Sequence, residues 1–97
     1  MNTNINMDEE MEKLDNRWQL SEDKKKIFKE FQLSAFLPAL DFVRKVGEEA
    51  EKRNHHPDIK INFKKVTFEL TSYFAGEQLT DLDFQSAKAI DKIYANL

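Results

Sequence analysis

The sequence predicts an α+β fold: a four-stranded antiparallel sheet with three helices packed on one face, in the order α-β-β-α-β-β-α. Three observations carry this. Two blocks, Lys26–Leu33 and Asp58–Phe74, alternate apolar and polar residues with a period of two. Between them Ser34–Arg53 repeats its apolar residues at helical spacing. The strands of each half are joined by short connections, which suits antiparallel neighbours.

Met7, Met11, Leu14 and Trp18 recur at i, i+4, i+7 and i+11. This predicts a short helix from about Asp8 to Leu14, capped by Asn6 with Glu9 at the capping-box position. Asn16–Leu20 then reads as a short strand. In the strand Lys26–Leu33, Ile27, Phe31 and Leu33 share one face. Ser34 is the expected N-cap of a helix reaching about Arg53, and Pro38 falls near its first turn, where a missing N–H costs little. This helix carries two apolar stripes, Phe36, Leu40 and Val43 beside Ala35, Ala39, Phe42 and Val46. That face is wider than one sheet requires, and the second stripe is read as packing against a partner chain. Ile59, Ile61 and Phe63 alternate in one phase and Val66, Phe68 and Leu70 in the other, so a turn or bulge is expected at Lys64–Lys65. Ala75–Leu79 forms a loop around Gly76. Thr80 caps the last helix with Asp83 in the capping-box position, and Leu82, Ser86, Ile90, Ile93 and Leu97 follow one face.

The 97 residues fit one domain, 1–97, with 1–6 as a flexible N-terminal tail. A net charge of −3 and the absence of a basic face argue against direct nucleic-acid binding. Lys24–Lys26 follow Glu22 and Asp23 and read as a solvated turn or strand start. There is no cysteine, hence no disulfide and no thiolate chemistry, which suits a cytoplasmic location. The polar, acidic N-terminus is not expected to be a secretory signal, and no apolar run approaches the ~20 residues of a membrane helix.

Both histidines sit together in Asn54-His55-His56-Pro57-Asp58. Adjacent histidines at a helix end are often only polar surface. Here Pro57 pushes His56 out of helical geometry, so both rings can turn toward one cleft. Glu51 lies four residues before His55, where a helix would let its carboxylate orient that imidazole. An unperturbed pKa of ~6.5 fits imidazoles for giving and taking protons near neutrality. A zinc site would need Glu51 or Asp58 as an added ligand, and proton transfer is the better reading.

Glu51-x-x-x-His55-His56-Pro57, then Phe63, then Leu70-Thr71-Ser72, Ala75-Gly76, Leu79-Thr80 and Asp83, resembles the pterin-4a-carbinolamine dehydratases, also called dimerisation cofactors of a homeodomain transcription factor. The likeness extends upstream through Trp18, Ile27–Phe31 and Phe36. The resemblance implies a dehydratase that converts 4a-hydroxytetrahydropterin to quinonoid dihydropterin in tetrahydrobiopterin recycling, with no metal or cofactor. It implies His55, His56 and Glu51 as catalytic residues and Asn54, Pro57, Thr71, Ser72, Tyr73 and Asp83 around the pterin. It implies a homodimer or homotetramer through the 34–53 helix and a sheet edge, and it admits a protein partner. In the family a third histidine usually ends the strand; Tyr73 stands there in this chain. Tyr73 is therefore expected either in the pocket or on its rim. The alternative function is a catalytically weak family member acting in binding, assembly or dimerisation.

Overall fold

The computed structural model describes residues 6–97, so all of the expected tail except Asn6 lies outside the described residues. The elements are α1 (Met7–Glu12), β1 (Gln19–Leu20), β2 (Ile27–Gln32), α2 (Phe36–Arg53), β3 (Asp58–Asn62), β4 (Lys65–Leu70), a 3-10 turn (Tyr73–Ala75) and α3 (Asp81–Ala95). This is the expected order. All strand pairs are antiparallel and the sheet runs β1-β2-β4-β3.

Alternation sets which face is buried. Ile27 and Phe31 of β2 and Val66, Phe68 and Leu70 of β4 point to the helices and are buried. Ala39, Phe42 and Val46 of α2 and Phe84, Ala87 and Ile90 of α3 complete the core. Phe31, Phe42 and Phe68 form an edge-to-face trio with ring centroids 5.2, 5.4 and 5.9 Å apart. Truncating Phe42 to alanine would cost ~3–5 kcal/mol, because the two rings around it cannot close the gap.

This corrects the reading of α2. The stripe Ala39, Phe42 and Val46, expected to meet a partner, is core, while Phe36 and Leu40 of the other stripe are exposed together with Leu37. The small Ala39 lets the helix approach the sheet, a packing preference that stripe width alone does not reveal. The cap also differs: the N-cap is Ala35, with no side-chain hydrogen bond, rather than Ser34.

The β3–β4 turn is the two-residue loop Phe63–Lys64, closed by the Asn62–Lys65 pair. Phe63 takes φ +56°, so the left-handed residue is an aromatic instead of the glycine that would have marked the turn. β4 stops at Leu70, earlier than expected. Ser72 forms an isolated bridge with Gln78, and Tyr73–Ala75 wind into the 3-10 turn, with Gly76 at φ +82° closing it. Tyr73 is therefore on a turn and not on the strand face.

The expected capping box of α3 is present in full: Thr80 and Asp83 each accept from the other's backbone end. Asn6 caps α1 through Glu9. The buried face of α3 is carried by Asp83, Phe84, Ser86, Ala87 and Ile90; Leu97 lies past the helix end and is exposed. No described helix is long and apolar enough to cross a membrane.

Candidate active site

The site is built where α2 stops. Asn54 adopts the left-handed region (φ 51°, ψ 42°), its N–H reaches Glu51 C=O, and the His55 N–H reaches back to Ala50 C=O at 3.2 Å. This is a Schellman closure, and asparagine is the usual substitute for glycine in it. The closure folds the chain back so that His55 enters the interior while His56 leaves it. Pro57, half-buried, then holds the chain extended into β3.

His55 is 7% exposed, and its Nε2 lies 2.6 Å from Asp83 Oδ1. Asp83 is wholly buried at the first turn of α3. Its Oδ2 also accepts from Ser72 Oγ at 2.8 Å and from the Thr80 N–H at 2.9 Å. Ser72 Oγ and Thr80 Oγ1 are 2.8 Å apart, and the Leu82 N–H donates to Thr80 Oγ1. The protons have one consistent direction: Thr80 hydroxyl to Ser72 hydroxyl to Asp83, with His55 Nε2–H donating to the other carboxylate oxygen. A carboxylate oxygen that accepts from His55 requires a hydrogen on Nε2, so whenever His55 is neutral this network selects its Nε2–H tautomer, with the lone pair on Nδ1.

His56 has the opposite setting. Its side chain is 55% exposed and its Nε2 lies 2.5 Å from Glu51 Oε2. The expected Glu51–His55 pairing is thus replaced by Glu51–His56. The i,i+4 argument assumed that the helix continued, whereas the left-handed Asn54 swings His55 away from the helix face and brings the following ring over Glu51. Both imidazoles therefore engage a carboxylate through Nε2, and among the described residues neither Nδ1 is hydrogen-bonded to protein.

Tyr73 is 57% exposed. Its hydroxyl donates to Asp58 Oδ2 at 3.1 Å. Asp58 as acceptor raises the phenol's pKa above its ordinary 10, with Lys26 opposing more weakly. Tyr73 is thus a hydrogen-bond donor and no base near neutrality. Thr71 is buried and its Oγ1 donates to Lys25 C=O at 2.7 Å, tying β4 to the turn before β2.

The structure brings together His55, Ser72 and Asp83 in one buried network, and His56 with Glu51 outside it. Asn54 shapes the backbone, Pro57 directs it, and Tyr73 meets Asp58. Sequence reasoning missed Thr80 as a member of the network and Asp58 as the partner of Tyr73. Thr80 was visible only as a cap, since nothing local shows that its hydroxyl also reaches Ser72. Among the described residues no three His, Asp or Glu side chains cluster as a metal site would require. What the arrangement can do is move protons, with one oriented, buried imidazole and, on the next residue, one open to solvent.

A family model described as pterin 4 alpha carbinolamine dehydratase matches residues 3–93. Relatives assigned by name to the pterin-4-alpha-carbinolamine dehydratases include one from Saccharolobus islandicus (strain M.14.25 / Kamchatka #1). It is 42% identical over 79 residues, covering 81% of this chain and 79% of that protein. Another, from Nostoc punctiforme, is 41% identical over 85 residues and covers 88% of each. Among solved structures, the transcriptional coactivator/pterin dehydratase from Brucella melitensis superposes with a TM-score of 0.83 at 28% identity, over 90% of each chain. With the paired imidazoles and the helix-capping aspartate already in place, these matches make one conclusion plain: the chain belongs to the pterin-4a-carbinolamine dehydratase family.

Proposed function

We propose that this chain is a cytoplasmic lyase that dehydrates a 4a-hydroxytetrahydropterin to the quinonoid dihydropterin, using His55 and His56 as an acid–base pair and no metal or cofactor. The observation that carries this is that two adjacent imidazoles each have Nε2 on a carboxylate and, among the described residues, no protein hydrogen bond at Nδ1. In the reaction the C4a–O bond breaks and the hydroxyl leaves as water after gaining a proton. N5 loses its proton, and the freed electron pair forms the C4a–N5 double bond. One protonated imidazole supplies the first proton and one neutral imidazole receives the second. Each such transfer contributes ~10²–10⁴-fold.

The roles of the remaining residues follow from their exposure. Ser72 and Thr80 are buried and act on the substrate only through Asp83, which fixes the tautomer of His55. Glu51 holds His56. Tyr73 takes the place of the family's third histidine as a rim donor, so the two histidines carry the proton transfers without a third. The pH profiles of His55→Gln and His56→Gln separate acid from base: each variant loses the limb that its histidine governs.

A second reading rests on a separate observation. Phe36, Leu37 and Leu40 on α2 and Ile59, Ile61 and Phe63 on and just after β3 are exposed. Ile59 and Ile61 lie opposite Phe68 and Val66, so they share the helix-facing side of the sheet at its open edge. These apolar residues favour a homodimer or homotetramer through α2 and the β3 edge, or a protein partner, the kind of role that the name coactivator gives the Brucella relative. A monomer by light scattering at micromolar concentration would remove the homo-oligomer and leave the protein partner as the role of these residues.

The deciding assay follows loss of a 4a-hydroxytetrahydropterin with wild type, His56→Ala and Tyr73→His. The enzyme reading expects wild type to outrun the spontaneous reaction and His56→Ala to lose ~10²-fold or more. A wild-type rate equal to the spontaneous one, with a large gain in Tyr73→His, would mark a family member without the chemistry.

A further inference from the structure

A second concavity lies away from the histidines, between the exposed flanks of α2 and α3. The two helices run antiparallel: Asp83 at the start of α3 meets His55 beyond the end of α2, and Tyr94 near the end of α3 packs on Phe42. Their flanks enclose a cleft of about 750 Å³. Sites for small organic ligands span ~300–1,000 Å³, the range in which this cleft falls.

Five cationic side chains, Lys45, Lys52, Arg53, Lys88 and Lys92, line this cleft against two carboxylates, Glu48 and Glu49. Both carboxylates are engaged: Arg44 donates to Glu48 at 2.8 Å and Arg53 to Glu49 at 2.7 Å. Among the described residues, Lys45, Lys52, Lys88 and Lys92 have no carboxylate within ion-pair distance. Lys45 and Lys52 stand two turns apart, about 10 Å, and Lys88 and Lys92 one turn, about 6 Å. A chain of net charge −3 thus gathers four uncompensated ammonium groups along one cleft. Half-buried Ala89 and Ile93 supply an apolar patch between them.

We infer that this cleft binds a nucleotide-sized organic polyanion, with a polyphosphate chain along the four lysines and an apolar ring face on Ala89 and Ile93. Lysines act on phosphate as point charges without the fixed fork of arginine, so recognition follows the number of phosphates and weakens with salt. No residue of the pterin site lines the lysine rim, so pterin turnover is a separate readout and the inference stands apart from the dehydratase reading.

The test is titration of the full chain with ATP, AMP and inorganic triphosphate, followed by amide chemical shifts and calorimetry at low and at high salt. ATP is expected to shift amides within 45–53 and 85–96, and AMP to bind roughly tenfold more weakly or worse. Lys88→Glu with Lys92→Glu should weaken ATP by roughly tenfold or more while leaving pterin dehydration at the wild-type rate. If that pair fails to fold, Lys88→Gln with Lys92→Gln carries the same expectation. Equal affinity for inorganic triphosphate keeps the polyphosphate site and overturns the ring contact. No shift at millimolar ATP, shifts elsewhere on the surface, or ATP binding unchanged in the folded double variant overturns the inference.

Discussion

His55 and His56 are neighbours in the chain and opposites in environment. His55 is buried against a carboxylate that accepts three hydrogen bonds in all, two from side chains and one from backbone. His56 stands in solvent against Glu51, whose side chain is itself 77% exposed. One left-handed residue, Asn54, and one proline, Pro57, separate the two fates. The difference teaches that two histidines side by side in sequence need not share an environment. One ring can be pinned into a single tautomer by the fold while the other exchanges protons with water, and a site with both has an oriented group and a replenishable one.

The largest effect should come from the buried side. Asp83→Ala leaves Ser72, the Thr80 N–H and His55 without their acceptor and removes half of the α3 capping box. Urea unfolding should show a loss of ~3 kcal/mol or more. Next comes His55→Ala, which strands the buried Asp83 carboxylate and should cost ~2–4 kcal/mol on the same assay, besides activity. On the exposed side, His56→Ala and Glu51→Gln should stay within ~0.5 kcal/mol of wild type, since solvent already competes for that pair. Their cost should appear in the dehydration rate instead. A double-mutant cycle sharpens the contrast: the His55–Asp83 coupling should exceed ~1.5 kcal/mol and the His56–Glu51 coupling fall below ~1 kcal/mol. Equal couplings would erase the distinction.

The smallest effect concerns Tyr73, on the exposed side as well. Asp58 raises the phenol's pKa in the folded protein above its ordinary 10. The stabilisation is therefore present below pH ~10 and lost as pH rises through the folded value. Tyr73→Phe should flatten the alkaline limb of a stability–pH curve and lower neutral-pH stability only slightly, since solvent competes for this exposed bond. A curve identical to wild type above pH ~10 would remove the Tyr73–Asp58 bond from the account.

Much of this was legible in the residues. Alternation in Ile27–Phe31 and Val66–Leu70 placed the strands, and Thr80 with Asp83 placed the start of α3, because both signals are local. The histidine motif was legible as a candidate site for the same reason. What escaped were facts settled at a distance or by a rare backbone. The core stripe of α2 depended on the sheet meeting Ala39. The β3–β4 turn depended on a left-handed Phe63, which no propensity favours. The partner of Glu51 depended on Asn54 ending the helix one residue before His55. The Ser72–Thr80 contact joins residues eight apart across a loop that the Ser72–Gln78 bridge closes, with both residues also meeting Asp83.

The claim that one motif holds one pinned and one open imidazole is tested most directly by long-range proton–nitrogen NMR on the two histidine rings at neutral pH. The account predicts His55 as a single Nε2–H tautomer whose ring proton exchanges slowly with water, beside His56 in fast exchange. A Nδ1–H tautomer at His55, or equal exchange at both rings, would contradict it.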